Sequence, residues 1–494
     1  MFPLFTRLPT GGAPVLFLSS PSSLNRGMRR NSNSLVIRSS RPSWPATGKQ
    51  RQPDQAQQLL KGEQMAVRRP LVKSLLTTGM AALLWVTALA APPPAAALAV
   101  IVVGTPSATC PNPQHATIQA AVDAAAPGDT IEVCAGTYNE GVNVSKSLNF
   151  RGARAGVDAR SGRTNPAQES IVTPPADDDG FFVETGVSNV TIDGFTIRGA
   201  TEVASDVQGI STLFGGSGFR IVNNIITDNT MGINFRSRGP DAIASLISRN
   251  RIVDNNRPGS GLQGIFIGGG SAPANVGTDN TTITENLFGE HEGQDINTQG
   301  VLDGSDPSED LTITGNRSVD SRGFLILLNS NDPVVSSNHI QKPVTGISGN
   351  SMRIDANTHR ADVSGNVISS GRGTGINVSA IFGNLEPSTE LNLERNVINR
   401  IALGTAAEHT GAGVRVSALD SGTFFSNVLS RNHRGIQVVS TVDPVTPLLF
   451  NRNVARGSTL LDAEDETTGG GTQGTANTWT QNVCPKDSPP GICV

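Results

Sequence analysis

Residues 221–252 read IVNNIITDNTMGINFRSRGPDAIASLISRNRI. Two copies of one short pattern lie inside this stretch: apolar-x-x-Asn-x-apolar, from Ile221 to Ile226 around Asn224 and from Ile247 to Ile252 around Asn250. Working outward, the pattern recurs around Asn286, Asn338, Asn366, Asn396 and Asn427, while Asn316 and Asn453 keep the amide with a weaker apolar partner. Asp193 takes the same place in an earlier copy. After most of these amides comes a glycine and then alternating apolar residues, as in Gly232-Ile233-Asn234-Phe235, Gly264-Ile265-Phe266-Ile267 and Gly375-Ile376-Asn377-Val378. Alternation with period two means a strand with one face buried. No helical period runs through the region. Each repeat therefore predicts two or three short strands separated by bends, one of which always holds Asn.

A single repeat of this kind cannot bury its apolar face or pair its strand edges, whereas stacking coils about 4.8 Å apart does both. Asn suits the bend because it tolerates left-handed backbone geometry and bonds its own main chain. Stacked amides can also hydrogen-bond from coil to coil as a ladder. The chain lacks a Leu-x-x-Leu-x-Leu consensus, a regular blade-length period and the Gly-Gly-x-Gly-x-Asp nonapeptide that binds calcium. The expectation is an all-β solenoid, a parallel β-helix over residues 100–494. Its rungs are marked by Asn224, Asn250, Asn286, Asn316, Asn338, Asn366, Asn396, Asn427 and Asn453.

The composition sets the outer limits. Of 494 residues, 37% are apolar and 16% charged, with a formal charge of −4, which excludes wholesale disorder and a generally basic nucleic-acid binder. Residues 1–64 are rich in Ser, Arg and Pro without any period, and read as a disordered or mis-assigned extension. Residues 65–99 run from Met65 through Arg68, Arg69 and Lys73 to an apolar core and small residues, the order of an export signal. Ala88-Leu89-Ala90 and Ala97-Leu98-Ala99 are its candidate cleavage sites. Residues 1–99 carry a net +10, leaving residues 100–494 near −14. That balance disfavours polyanions as general partners, so no nucleic acid is expected. A secreted or cell-envelope protein with no membrane span in its mature chain follows, of unknown oligomeric state.

All four cysteines lie beyond that signal, and disulfides are the default in an exported chain. Cys110–Cys134 with Cys484–Cys493 is the most local of the three connectivities. Residues 110–150 read as an N-terminal cap, with a short amphipathic helix in HATIQAAVDAAA (115–126) and a first strand at Thr130–Cys134. Residues 455–494 lose the repeat and read as a C-terminal cap closed by Trp479.

The run TIQAAVDAAAPGDTIEVCAGTYNEGVNVSKSLNFRGA (117–153) resembles the opening coil of the pectin-lyase-like superfamily of right-handed parallel β-helix proteins. Pectin methylesterases share its Gly136-x-Tyr138-x-Glu140 element, and the Asn coils resemble the superfamily's repeats. The later esterase motifs do not occur beyond an echo at Gln294-Asp295. The resemblance thus implies right-handedness and places a site on the outer face of one parallel sheet and its turns. Taking the Gly-led strands as that sheet, alternation points Asn234, Phe266, Asn297, Leu325, Ser348, Asn377, Arg415 and Gln437 outward. A glycosidase needs two carboxyl groups roughly 5 to 9.5 Å apart, and this row offers no such pair.

Arg322, Lys342, Arg372 and Arg434 each precede a strand-opening Gly, so stacked coils would align them beside Arg415 as a basic edge for a uronate polymer. Such residues would also suit a lyase, which stabilises a carboxylate while a base removes the neighbouring proton. Ordinary exposed turn charges are the plainer reading. Glu290, His291 and Asp295 form the densest acid/His cluster, a candidate acid–base group or a solvated turn. Asp177-Asp178-Asp179 would suit Ca²⁺ in the manner of pectate lyases, or a plain turn. No metal site or other cofactor is expected: the histidines are scattered, His409 and His433 being the pair that adjacent turns would bring together. A Ser–His–Asp triad remains open, although no Gly-x-Ser-x-Gly elbow occurs. The function expected is contact with extracellular or envelope polysaccharide in a binding or structural role. The alternatives are a lyase or other carbohydrate-active enzyme on uronate polymers, and an adhesin-like protein with protein partners.

Overall fold

The structure, a computed structural model, describes residues 98–493 apart from 203–206, 213–214, 239–242, 257–261, 269–276, 299–305, 343–348, 382–384, 402–410, 443 and 445. Residues 1–64, nearly all of the 65–99 segment, Ser348 and His409 thus lie outside the described residues. Each coil runs through three short strands, one in each of three parallel sheets. In one coil these are Arg220–Val222 in sheet 1, Ile225–Thr227 in sheet 2 and Met231–Phe235 in sheet 3. The next coil pairs with all three in parallel register: Ile221 with Ile247, Ile226 with Ile252, and Ile233 with Ile265. The described strands form sheets of 16, 12 and 13 members. The expected solenoid is therefore present, as three sheets around one core.

That core is filled by one or two inward side chains per strand. Ile221, Ile247, Ile283 and Ile313 line sheet 1, and Ile226, Ile252 and Phe288 line sheet 2, all essentially inaccessible to solvent. Each such side chain contributes about 1.5–3 kcal/mol by leaving water. Because the register never slips, like stacks on like along the axis.

The corner between sheets 1 and 2 holds the asparagines. Asn366 shows the arrangement: its Oδ1 accepts from Asn338 N and Nδ2 at 3.0 Å each, and its own N and Nδ2 donate to Asn396 Oδ1 at 3.0 Å each. Its Nδ2 also donates to Val335 O at 2.9 Å. The ladder links Asn224 to Asn453 without a break and goes one rung further, to Asn482. The left-handed residue is not the Asn but the one before it: Asn223, Arg249, Glu285, Arg395 and Arg452 all have φ between 54° ± 2°. The amide earns its place by hydrogen bonding alone, and its predecessor absorbs the turn. Asp193 is no rung. It pairs with Val222 in sheet 1, and Phe195, whose N donates to Asn224 Oδ1 at 2.9 Å, stands at that position.

A second corner, between sheets 2 and 3, lies five residues further along each coil. Asn229 and Asn255 repeat the device there, with Asn229 Nδ2 donating to Asn255 Oδ1 at 3.0 Å, and Asn432 Oδ1 accepts from Ile401 N at 3.0 Å. The intervening coils place His291 and Ser321 at this corner.

At the N-terminal end, the expected helix spans Ile118–Ala124. Thr117 caps its start by accepting from Ala120 N, and Glu140 accepts from Ile118 N at 2.8 Å and Gln119 N at 3.0 Å. Lys146 Nζ donates to the carbonyls of Val122, Asp123 and Ala125 at its far end. The sequence placed the first strand at 130–134; Val100–Val103 pairs outside it, so the capping segment begins earlier than residue 110. Cys110–Cys134 and Cys484–Cys493 are both formed. At the C-terminal end the repeat continues past residue 455. Leu461–Asp465, Thr478–Thr480 and Asp487–Ser488 extend sheets 3, 1 and 3. Trp479 occupies the sheet 1 core row, stacked on Phe450, which is stacked on Phe424. Among the described residues no helix is long and apolar enough to cross a membrane.

Candidate functional site

Sheet 3 is the sheet of Gly-led strands, and its outer face carries one side chain per coil. Register pairs Asn234 with Phe266, Phe266 with Asn297, and Asn297 with Ile326. The row then runs through Arg353, Asn377, Arg415 and Gln437 to Glu464. Two expected positions differ. Leu325 points into the core, fully buried, and Ile326 takes the outward place. The cause is Gly323: it pairs with Gln294, one residue out of step with Gly264, and Phe324 stands in register between Asp295 and Ser351, at the position that Gly232, Gly264 and Gly375 take in other coils. In the next coil the strand is Met352–Ile354, so the outward residue is Arg353. Nothing in the glycine pattern marked it, because its strand is opened by Ser351.

The face is largely shielded from solvent. Asn234, Asn297, Asn377 and Gln437 are all at least nine-tenths buried. Arg353 is tied to Asp355 at 2.7 Å, and Asp355 Oδ1 accepts from Ala356 N and Ile381 N at 3.0 Å each. Arg434 Nε donates to Glu464 Oε2 at 2.7 Å, and Gln437 Nε2 to Glu466 Oε1 at 3.2 Å. Arg415 Nε and Gln437 Oε1 have no hydrogen-bond partner. Burial holds the Arg415 guanidinium below its ordinary range; the Glu466 carboxylate opposes this and the Arg434 charge adds to it. Carboxylates thus do border this face, in Asp355, Glu464 and Glu466, each engaged by a neighbouring donor.

The basic edge divides. Arg322 is exposed and Arg372 half-buried, two coils apart on the side where Gly349 and Gly373 stack. Lys342 turns inward: it is 4% exposed, and its Nζ donates to Gly349 O at 2.8 Å. Burial pushes its ammonium down to about 7; the Asp295 carboxylate opposes this and the Arg322 charge reinforces it. Arg415 lies on the sheet face, and Arg434 is bound to Glu464.

Glu290, His291 and Asp295 do not converge either. Glu290 is exposed, in a left-handed turn. His291 and Asp295 are buried, joined from Nδ1 to Oδ1 at 2.7 Å. Asn255 Nδ2 lies 3.4 Å from His291 Nε2. Since Asn255 Oδ1 already accepts from the preceding rung, its amide nitrogen must face the ring, and Nε2 is left to accept. The ring proton then sits on Nδ1 and is donated to Asp295. Ser318 Oγ donates to Asp295 Oδ2, from the inward row of sheet 2 between Phe288 and Ile340. Ser, His and Asp therefore meet, but the serine bonds the carboxylate and not the imidazole, so no nucleophile is activated. This is a satisfied polar plug in the second corner.

Asp178 Oδ1 accepts from Asp179 N at 2.9 Å, within its own turn. Among the described residues no group of three or more His, Cys, Asp or Glu side chains is placed to hold a metal ion.

Residues 133–290 match the family model of the right handed beta helix region. With the three stacked parallel sheets, this makes the described chain a right-handed parallel β-helix. No curated protein matches its sequence. Among solved structures it is similar to the enzymatically active domain of bacteriophage CBA120 tailspike protein 2, at 11% identity and a TM-score of 0.42 over 74% of this chain and 48% of that one. It is also similar to an alginate lyase from Paenibacillus sp. str. FPU-7, at 15% identity and a TM-score of 0.40 over 67% and 95% of the two chains. Pectate lyase Pel9A matches at 13% identity and a TM-score of 0.37 over 70% and 78%. The chain spans about half the length of the tailspike domain. These likenesses concern the fold.

Proposed function

We propose that the protein is exported and binds an extracellular or cell-envelope polysaccharide along the outer face of sheet 3, in a binding or structural role. The observation that carries this reading is the row Arg353, Asn377, Arg415, Gln437, Glu464: five successive coils in register, each presenting one hydrogen-bonding side chain. Coils repeat about every 4.8 Å, so a linear row meets a linear polymer. The unpartnered Arg415 Nε and Gln437 Oε1 supply a donor and an acceptor that a ligand would satisfy. Arg353 and Arg415 favour a carboxylate-bearing sugar by charge-assisted hydrogen bonds. Lys342, whose pKa suits a general base, is turned away from this face, which supports binding over proton abstraction. Two disulfides fit an oxidising compartment.

A glycan array with the full chain tests the reading. Uronate-bearing polymers should bind, more weakly as salt rises, and Arg415→Ala should reduce that binding. Failure to retain any glycan sinks the proposal. Incubation with alginate and pectate, followed by absorbance near about 235 nm for the product of base-assisted elimination, should stay flat. A rising signal would replace binding by lyase chemistry.

A further inference from the structure

The outer face of sheet 3 changes character along the axis. From Arg353 onward it is charged, whereas Asn234, Phe266, Asn297 and Ile326, on the four preceding coils, carry no charge. Phe266 is unlike the other phenylalanines of these coils. Phe235, Phe288 and Phe324 are fully buried in the core, while Phe266 projects outward and is partly exposed.

Three buried amide oxygens without partners lie on this coil and the two adjoining it. Asn234, one coil before and 3% exposed, has no partner for Oδ1. Gln263 and Gln294 stand upstream on the coils of Phe266 and Asn297, about 10 Å along the strands at 3.3 Å per residue. Their Oε1 atoms are buried and likewise unpartnered. Gly323 makes the room for Gln294, because a Cβ there would lie 1.8 Å from that Oε1. A buried amide end without a partner is costly. Carboxylates cannot donate to such oxygens, but sugar hydroxyls can. The apolar face of a pyranose also fits against an exposed aromatic ring, with a few polar groups fixing its orientation.

We infer that the Asn234–Phe266 region is a subsite for a neutral sugar unit, stacked on Phe266 and hydrogen-bonded to Asn234. The inference rests on the polysaccharide reading above and narrows it. The ligand is a heteropolymer, with neutral units toward the N-terminal coils and acidic ones over Arg353 and Arg415.

The test uses the full chain, Phe266→Ala and Arg415→Ala against three probes: neutral xylo-oligosaccharides, oligogalacturonate, and glucuronoxylan oligosaccharides that carry both kinds of unit. The wild type should prefer the mixed probe. Phe266→Ala should weaken mixed and neutral probes about tenfold, near 1.4 kcal/mol, and leave oligogalacturonate unchanged. Arg415→Ala should do the reverse. Because the ring lies on the outer face, unfolding of Phe266→Ala should match the wild type. If the wild type binds only oligogalacturonate, or if Phe266→Ala binds every probe normally, the subsite is overturned while the polysaccharide reading stands. If the wild type binds none of the probes and no other glycan, that reading falls and takes the subsite with it.

Discussion

Asn255 presents its amide nitrogen to Nε2 of His291 at 3.4 Å, so a histidine stands where the two preceding coils of the second corner hold asparagine. The ring continues a hydrogen-bond ladder on one side and joins Asp295 on the other. Its place in the row accounts for it without any chemistry on a substrate.

His291→Ala should therefore cost stability and nothing else. It leaves a buried carboxylate and a buried amide each short of a partner, a loss of about 1–3 kcal/mol. Urea unfolding should show that loss, while glycan binding by the folded fraction stays at the wild-type level. Loss of binding with stability intact would restore a functional role to His291.

Lys342 should make stability rise with pH. Its folded pKa, about 7, lies below its ordinary 10.5. Between those values the unfolded chain holds a proton that the folded chain does not, so stability climbs across that window and is flat below it from this group. Lys342→Met should flatten the climb and be relatively more stable near pH 6. A wild-type curve without the climb would contradict an inward, unshielded ammonium.

Asp129 should act in the opposite sense. Bonds from Ala99 N and Ala126 N hold its carboxyl below the usual 3.8, burial opposing them weakly. Its stabilisation is complete above 3.8 and is lost as pH falls through the folded value. Asp129→Asn should be less stable near neutrality, and the difference should shrink in acid unfolding curves. A difference independent of pH would mean that charge is not what matters there.

Two replacements of Trp479 should separate packing from hydrogen bonding. The ring stacks 4.0 Å from Phe450, and Nε1 donates to Asp465 Oδ2 at 2.8 Å. Trp479→Ala should cost about 3–5 kcal/mol. Trp479→Phe keeps a ring in the stack but leaves Asp465 a donor short, about 1–3 kcal/mol. Equal losses in thermal unfolding would assign the whole effect to the indole N–H.

The Asn spacing exposed the fold because one amide per coil is required at the same corner, and that requirement survives insertions elsewhere in the coil. The second corner was harder to see. Asn229, Asn255 and Asn432 follow first-corner rungs by five residues, but His291 and Ser321 interrupt the series. On the outer face of sheet 3, Phe266, Asn377 and Gln437 follow from alternation after a glycine. Ile326 and Arg353 were missed because their strands do not open on a glycine in register. Lys342 reads like any turn cation, and only three-dimensional packing shows it folded inward. Ser318 breaks the apolar inward row, and its reason is a carboxylate on another strand.

From Asn224 to Asn453, each asparagine of the first corner donates its backbone N–H and one Nδ2–H to Oδ1 of the asparagine that follows it in sequence. The stack consequently has a polarity. A polypeptide delivered N-terminus first always ends in one rung whose donors await a successor, so assembly proceeds like a zip with a single open tooth. Asn482 is the last rung of the series, its Nδ2 making the same carbonyl bond as the others, to Phe450 O at 2.9 Å.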